Sequence, residues 1–191
     1  MTKELDYHPE RTIPGRRGPS IIARFVNETG FAEKLGIKRV LDYGCGKGID
    51  IPYYRSVGFY SVGYDPYPPF GFSEKPKGKF DLVVCAFVLN VLPSETKRID
   101  VIKSASEFLV PEGLMILVTR SPSAIAKEVK NWGWKKHSDG YWSSERRGMF
   151  QKGLSKQELT NLSKIAGLKV HPLDEFIKLD SYSTSLLIQK E

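Results

Sequence analysis

The residues best suited to chemistry lie in one short run, Asp42-Tyr43-Gly44-Cys45-Gly46-Lys47-Gly48, and at Asp65, which follows Gly46 by 19 positions. Glycines at alternate positions let a backbone turn with positive φ and approach a ligand closely. A carboxylate at the end of a neighbouring strand can accept hydrogen bonds from both hydroxyls of a ribose. Together they point to a nucleoside-containing ligand. The spacing argues against two common phosphate binders. The dinucleotide pattern G-x-G-x-x-G would need a third glycine where Ile49 stands, and no G-K-[ST] is present for a P-loop.

Those residues need strands to position them. Residues 39–43 (RVLDY) read as a strand ending in the glycine turn, with a short helix following to about Val57. Residues 60–64 (YSVGY) form a second strand that delivers Asp65. Residues 80–87 (FDLVVCAF) and 114–118 (LMILV) are apolar runs of the kind buried on both faces of a sheet. Helices fit residues 94–109, about 122–130 with Pro122 at the first position, and a stretch opened by the capping box Ser155-Lys156-Gln157-Glu158. Two terminal strands fit near 168–172 and 183–189. Strands alternating with helices imply an α/β fold, a three-layer, doubly wound, mostly parallel sheet. Residues 1–19, with Pro9, Pro14 and Pro19 and with Arg11, Arg16 and Arg17, read as an irregular basic arm.

At this point the chain resembles the class I S-adenosylmethionine-dependent methyltransferases, whose D/E-x-G-x-G-x-G turn matches residues 42–48. Asp65 matches their acidic residue after strand two. Residues 80–84, with 86–92 after them, match the fourth strand and its succeeding helix, and Leu109-Val110-Pro111-Glu112-Gly113-Leu114 is similar to the turn before strand five. The resemblance implies a Rossmann-like single domain over 1–191 with an antiparallel C-terminal strand, and S-adenosyl-L-methionine as cofactor. It implies cofactor contacts at Asp42, Tyr43, Gly44, Cys45, Gly46, Asp65, Pro66 and Phe87, with Asp42 near the methionine ammonium and Asp65 on the ribose. Only 14 residues separate Asp65 from Phe80, so the family's third strand and its helix must be short or missing. No adenine-contacting acid is identified there; Phe70 and Phe72 are candidates for an apolar wall or for the core. A narrower resemblance is to methyltransferases associated with DNA phosphorothioation, carried by Arg11-Thr12, Gly63-Tyr64-Asp65-Pro66 and Val88-Leu89-Asn90-Val91-Leu92-Pro93.

The acceptor is harder to read. The D/N-P-P-Y/F motif of DNA amino-methyltransferases is absent after strand four, and neither Cys45 nor Cys85 has the Pro-Cys context of a cytosine-C5 nucleophile. Asn90 is the polar residue of that apolar stretch; it can face methionine or acceptor, or simply start a helix. Residues 131–153 hold all three tryptophans with five basic and two acidic side chains, a net +3, around the turn Ser138-Asp139-Gly140. We read an inserted hairpin acting as a lid, with Trp134, His137, Tyr141, Arg146 and Arg147 toward substrate; a small satellite core is the alternative.

Composition bounds the rest. The chain has 191 residues, 29 basic and 22 acidic, a formal charge of +7, and a hydrophobic content of 40% that can build a core. Two cysteines support neither a disulfide framework nor a structural zinc site and fit a reducing, cytoplasmic setting. No apolar run approaches the roughly 20 residues of a membrane span, and the first residues carry no secretory h-region. The functional expectation is methyl transfer to a nitrogen or oxygen, with nucleic acid or a nucleotide-like acceptor marginally ahead of a small molecule or protein. An inactive cofactor- or nucleic-acid-binding module is the alternative of another class. Nothing indicates a metal or an oligomeric state.

Overall fold

The computed structural model describes residues 7–13, 15–172, 174, 177 and 179–190. Residues 1–6 and Pro14 of the expected arm lie outside these. The central sheet contains β1 (Arg39–Tyr43), β2 (Tyr60–Tyr64), β3 (Phe80–Ala86), β4 (Leu109–Arg120), β8 (Lys169–Val170) and β9 (Ser183–Gln189). Their order is β2-β1-β3-β4-β9-β8. The first four are parallel, and β9 runs antiparallel to both β4 and β8. This is the expected mostly parallel α/β sheet with an antiparallel C-terminal strand.

Alternation along each strand feeds two cores. Leu41, Val83, Cys85, Met115 and Leu117 pack with α4 (Glu95–Ser106) and α6 (Lys156–Ile165). Val40, Leu82, Val84, Ile116 and Val118 pack on the other face with α1 (Ile21–Glu28), α2 (Phe31–Lys34) and α3 (Asp50–Ser56). Side chains of period two must divide this way when both faces are covered. The helix starts follow local chemistry. Ser20, Ser94 and Ser155 each accept a bond from a first-turn amide, as does Ser121 ahead of α5 (Pro122–Trp132), and Ser155 with Glu158 completes the capping box.

Between Asp65 and Phe80 lies only the 3-10 turn Pro68–Phe70, so both the helix and the third strand are missing. Pro66, Pro68, Pro69 and Pro76 deny backbone donors there. The loop is nonetheless anchored. The Asp65 amide donates to the Phe72 carbonyl at 2.9 Å, and the Phe72 ring lies against Gly48 and Gly63. The expected turn at Pro111-Glu112-Gly113 is a kink inside β4 rather than a break before it.

Residues 131–153 form more than a hairpin. β5 (Lys135–His137) and β6 (Gly140–Ser144) turn at Ser138-Asp139 as expected, and β7 (Met149–Gln151) adds a third antiparallel strand. This small sheet carries its own core: His137 packs tilted against Trp142 at 4.8 Å, and Trp142 meets Phe150 edge-on at 5.9 Å. It docks on the large sheet's helices through Arg98 of α4, whose side chain is 1% exposed and grips Asp139 with bonds of 2.7 and 2.8 Å.

Removing one partner of such a pair strands a buried charge. Asp139→Ala should therefore cost about 3 kcal/mol in urea unfolding. Adding Arg98→Met to it should recover part of that loss, because the unpaired guanidinium is gone.

Candidate functional site

The C-terminal ends of β1, β3 and β4 open into a cleft of about 510 Å³. Parallel strands put their backbone ends and following loops at one rim, which is where ligands settle in such sheets. The floor is the glycine turn. Gly44 and Gly46 hold φ of 76° and 56°, a region costly to other residues. A Cβ on Gly44 would stand 2.3 Å from Val88, and one on Gly46 2.9 Å from Ile13. The turn is therefore both left-handed and closely overlaid.

Three carboxylates surround it and have different fates. Asp65 braces the turn: one oxygen accepts the Gly46 amide at 2.9 Å, the other the Tyr67 amide at 3.0 Å. Burial raises its pKa, and these two amides hold it back. Asp50 is paired twice with Arg16, at 3.0 and 3.2 Å, and accepts the Ser20 amide at 2.7 Å. Asp42 lines the cleft, is 7% exposed, and receives no protein hydrogen bond among the described residues. Burial, then the charge of Asp50, push its pKa up to about 7, against a smaller pull from Arg16. The chain thus keeps one buried acid whose partner it does not supply.

The arm roofs the site. Thr12, Ile13 and Arg16 line the cleft. The His8 amide donates to the Gly148 carbonyl at 2.8 Å, Arg11 reaches the Arg147 carbonyl at 3.3 Å, and the Tyr7 hydroxyl donates to the Val91 carbonyl. The arm is therefore laced to the small sheet and to the 3-10 turn Leu89–Val91 that follows β3.

Among the residues singled out from sequence, Asp42, Gly44, Cys45, Gly46, Phe87 and Asn90 line the cleft. Asp65 sits beneath it through Gly46. The Tyr43 side chain points to the opposite core, where its hydroxyl donates to Ser104 at 3.0 Å. It must, because Asp42 and Tyr43 are consecutive in a strand. Pro66 lies beside the brace, outside the lining. Trp134, His137, Tyr141, Arg146 and Arg147 are also outside it. His137 belongs to the satellite core and Tyr141 lies under Lys136 at 4.7 Å, while Arg146 and Arg147 face solvent. The small sheet instead contributes Gln151, whose Oε1 accepts from Asn90 Nδ2 at 2.9 Å. Gln151, Arg120 and Tyr182 carried no signal in sequence, and Arg16 only that of a basic arm, because each reaches the cleft only through tertiary docking. The thiols of Cys45 and Cys85 are pushed up by burial, Cys85 to about 12, which removes nucleophilic character from both.

A turn that needs glycine, an acid held at the end of the adjacent strand, and an unpaired acid suited to an ammonium group fit S-adenosyl-L-methionine. The comparisons agree. The sequence matches the family described as "Methyltransferase domain" over residues 15–173. No curated protein matches it in sequence. Its fold is similar to that of an S-adenosylmethionine-dependent methyltransferase from Clostridium acetobutylicum, with a TM-score of 0.66 at 12% identity over 88% of this chain and 90% of that one. A sugar N-methyltransferase from Streptoalloteichus gives 0.64 at 10% identity, over 94% and 96% of the two chains. An amino pentose methyltransferase from Micromonospora echinaspora, solved with the cofactor bound, gives 0.60 at 14% identity over 92% and 93%.

The unpaired acid has a thermodynamic signature. Asp42 ionises near its ordinary range, about 4, when unfolded but only at about 7 when folded. Its contribution favours the folded state below about pH 4 and is lost as pH rises through about 7. Asp42→Asn should raise the melting temperature of the ligand-free protein at pH 8 by roughly 3 °C or more. The gain should shrink steadily toward pH 4 in thermal scans across that range.

Proposed function

The chain belongs to the class I S-adenosylmethionine-dependent methyltransferases, and from that premise we propose that it methylates a nitrogen or oxygen of a small organic acceptor. The cofactor supplies an electrophilic methyl group on a sulfonium. Gly44 and Gly46 would let it lie close to the backbone, Asp42 would accept its ammonium, and Asp65 would meet the ribose with the lone pairs left on its two oxygens. The chain's part would be to align the acceptor's lone pair on that methyl carbon and to leave the acceptor's proton a path to solvent. No side chain need act as a base for this: alignment and exclusion of water supply most of the rate.

The observation that carries the acceptor class is the charge of the cleft. Its charged residues are Arg16, Arg120, Asp42, Asp50 and Asp180, a net −1 when all are ionised. Arg16 is committed to Asp50, and Arg120 lies 3.4 Å from Glu128. That setting complements a cationic cofactor and offers no spare cation to a phosphodiester. The chain's positive charge lies elsewhere, partly on the outer surface of the small sheet. A volume of about 510 Å³, roofed by the arm, is in the range of a small-molecule site. The amino pentose and sugar N-methyltransferases of similar fold are consistent with this reading. A nucleic-acid partner has one specific support, the exposed Lys136, Arg146 and Arg147 outside the cleft.

Calorimetry with S-adenosylmethionine tests the cofactor site. Affinity should rise with pH to about 7, as Asp42 ionises, and fall again above about 8 as the ligand's amino group loses its proton. Asp42→Asn should flatten the rising limb, and Asp65→Asn should weaken binding roughly tenfold. Unmeasurable binding at millimolar cofactor would leave the inactive-module reading in its place. Radiolabelled methyl transfer over fractionated cell extract should put label into metabolites. Label confined to RNA or DNA would overturn the small-acceptor reading.

A further inference from the structure

Single exposed apolar side chains are ordinary, but several gathered at one cleft raise the question of what they meet. Three of them, Ile21, Phe87 and Tyr182, come from separate segments and converge on the cleft, with exposures of 38, 41 and 51%. Phe87 is also strained: its φ of 59° is unusual for an aromatic residue. Holding such a conformation costs of order 1–3 kcal/mol, and strain of this kind gathers at ligand sites.

The two aromatics are fixed on either side of the same strand. The Phe87 amide donates to the Val118 carbonyl at 2.7 Å, and the Tyr182 carbonyl accepts the Ser121 amide at 2.8 Å. Phe87 follows β3 and Tyr182 precedes β9, and both strands are neighbours of β4. Two strand spacings, with a two-residue offset along β4, put these backbones about 12 Å apart. Lys127 Nζ lies 5.6 Å from the Tyr182 ring centroid, and the gap between the two aromatics can take one flat ring.

The polar complement is Asn90. Its side chain is 2% exposed, its amide nitrogen is committed to Gln151, and its Oδ1 has no hydrogen-bond partner among the described residues. A buried acceptor left unmet costs about 1–3 kcal/mol. A ligand donor that reaches it recovers that energy and gains orientation.

Building on the small-acceptor reading above, we propose that the methyl acceptor is a flat aromatic molecule, a phenol or an N-heterocycle, bracketed by Phe87 and Tyr182 and donating an N–H or O–H to Asn90 Oδ1. The rings supply sequestered apolar area, and Asn90 selects molecules with a donor at the buried edge. Asn90 is a positioning residue here: an amide takes no proton from the acceptor.

The test uses the full chain saturated with S-adenosylhomocysteine, so that binding is read without turnover. Saturation-transfer NMR and fluorescence titration would compare 4-hydroxyquinoline, 4-methoxyquinoline, glucosamine and cyclohexanol. We expect 4-hydroxyquinoline to bind in preference to the other three. Phe87→Ala and Tyr182→Ala should each weaken it roughly tenfold. Asn90→Ala should abolish the preference for the hydroxy over the methoxy compound, a ratio that a merely structural defect would not equalise. Should that variant fail to fold, the wild-type ratio alone decides: equal binding of the two quinolines overturns the role of Asn90. Glucosamine binding better than either quinoline, or unchanged affinity in both ring variants, overturns the aromatic class while leaving the small-acceptor reading intact. If none of the four binds and label enters only nucleic acid, the small-acceptor reading falls as well.

Discussion

Three buried carboxylates surround one glycine turn, and only two of them are satisfied by the protein. Asp65 is spent on the backbone of the turn and Asp50 on the arm. Asp42 is left to raise its pKa or find a cation from outside. Most of the site follows from this division. Asp65 ties down the Gly46 amide of a turn whose Gly44 and Cys45 amides are held by the Tyr64 carbonyl, and Asp50 anchors the arm at Arg16. Burial of Asp42, with the charge of Asp50 beside it, makes the cleft costly without a cation and favourable with one, which is how a folded protein stores affinity for a positively charged ligand.

The charge of the chain acquires a different meaning in this setting. A formal +7 reads as attraction to polyanions. Several of the cations that suggested it are structural. Arg16 closes the arm on Asp50, Arg98 is buried against Asp139, and Lys152 lies between Asp139 and Glu158 at 3.4 and 2.9 Å. Counting charges cannot separate an arginine that fastens two segments from one that faces a ligand. Only the pairing does, and here it leaves the cleft slightly acidic.

The same distinction governs how much was legible beforehand. The sheet was readable because buried parallel strands are continuous apolar runs, and the glycine turn because a backbone conformation admits so few residue types. Asp65 was readable because its distance from Gly46 is set by one helix and one strand. The small sheet was legible only as a turn between aromatics, since β7 has three residues and no alternation of its own. His137 and Trp142 turned inward to Phe150 rather than toward the cleft, because so small a sheet needs a core of its own. Gln151, Tyr182 and the arm's Ile13 reach the cleft from distant positions, so local pattern carried nothing about them. Asn90 was visible as a polar residue in an apolar stretch, and its pairing with Gln151 was not.

The missing third strand leaves β2 as the margin of the sheet, with half its backbone groups turned away from β1. Such a margin is a template onto which another chain can add a strand. Here the run is five residues, short for a stable ladder, and the Arg55 guanidinium already donates to the Ser61 carbonyl at 2.9 and 3.0 Å. The Arg39 guanidinium stacks 4.3 Å over Tyr60 at its start and places a fixed positive charge where a second copy would approach. Shortening the fold thus shifts a burden from packing to colloidal behaviour. Crowded solution, rather than heat, is the condition under which that arginine matters most.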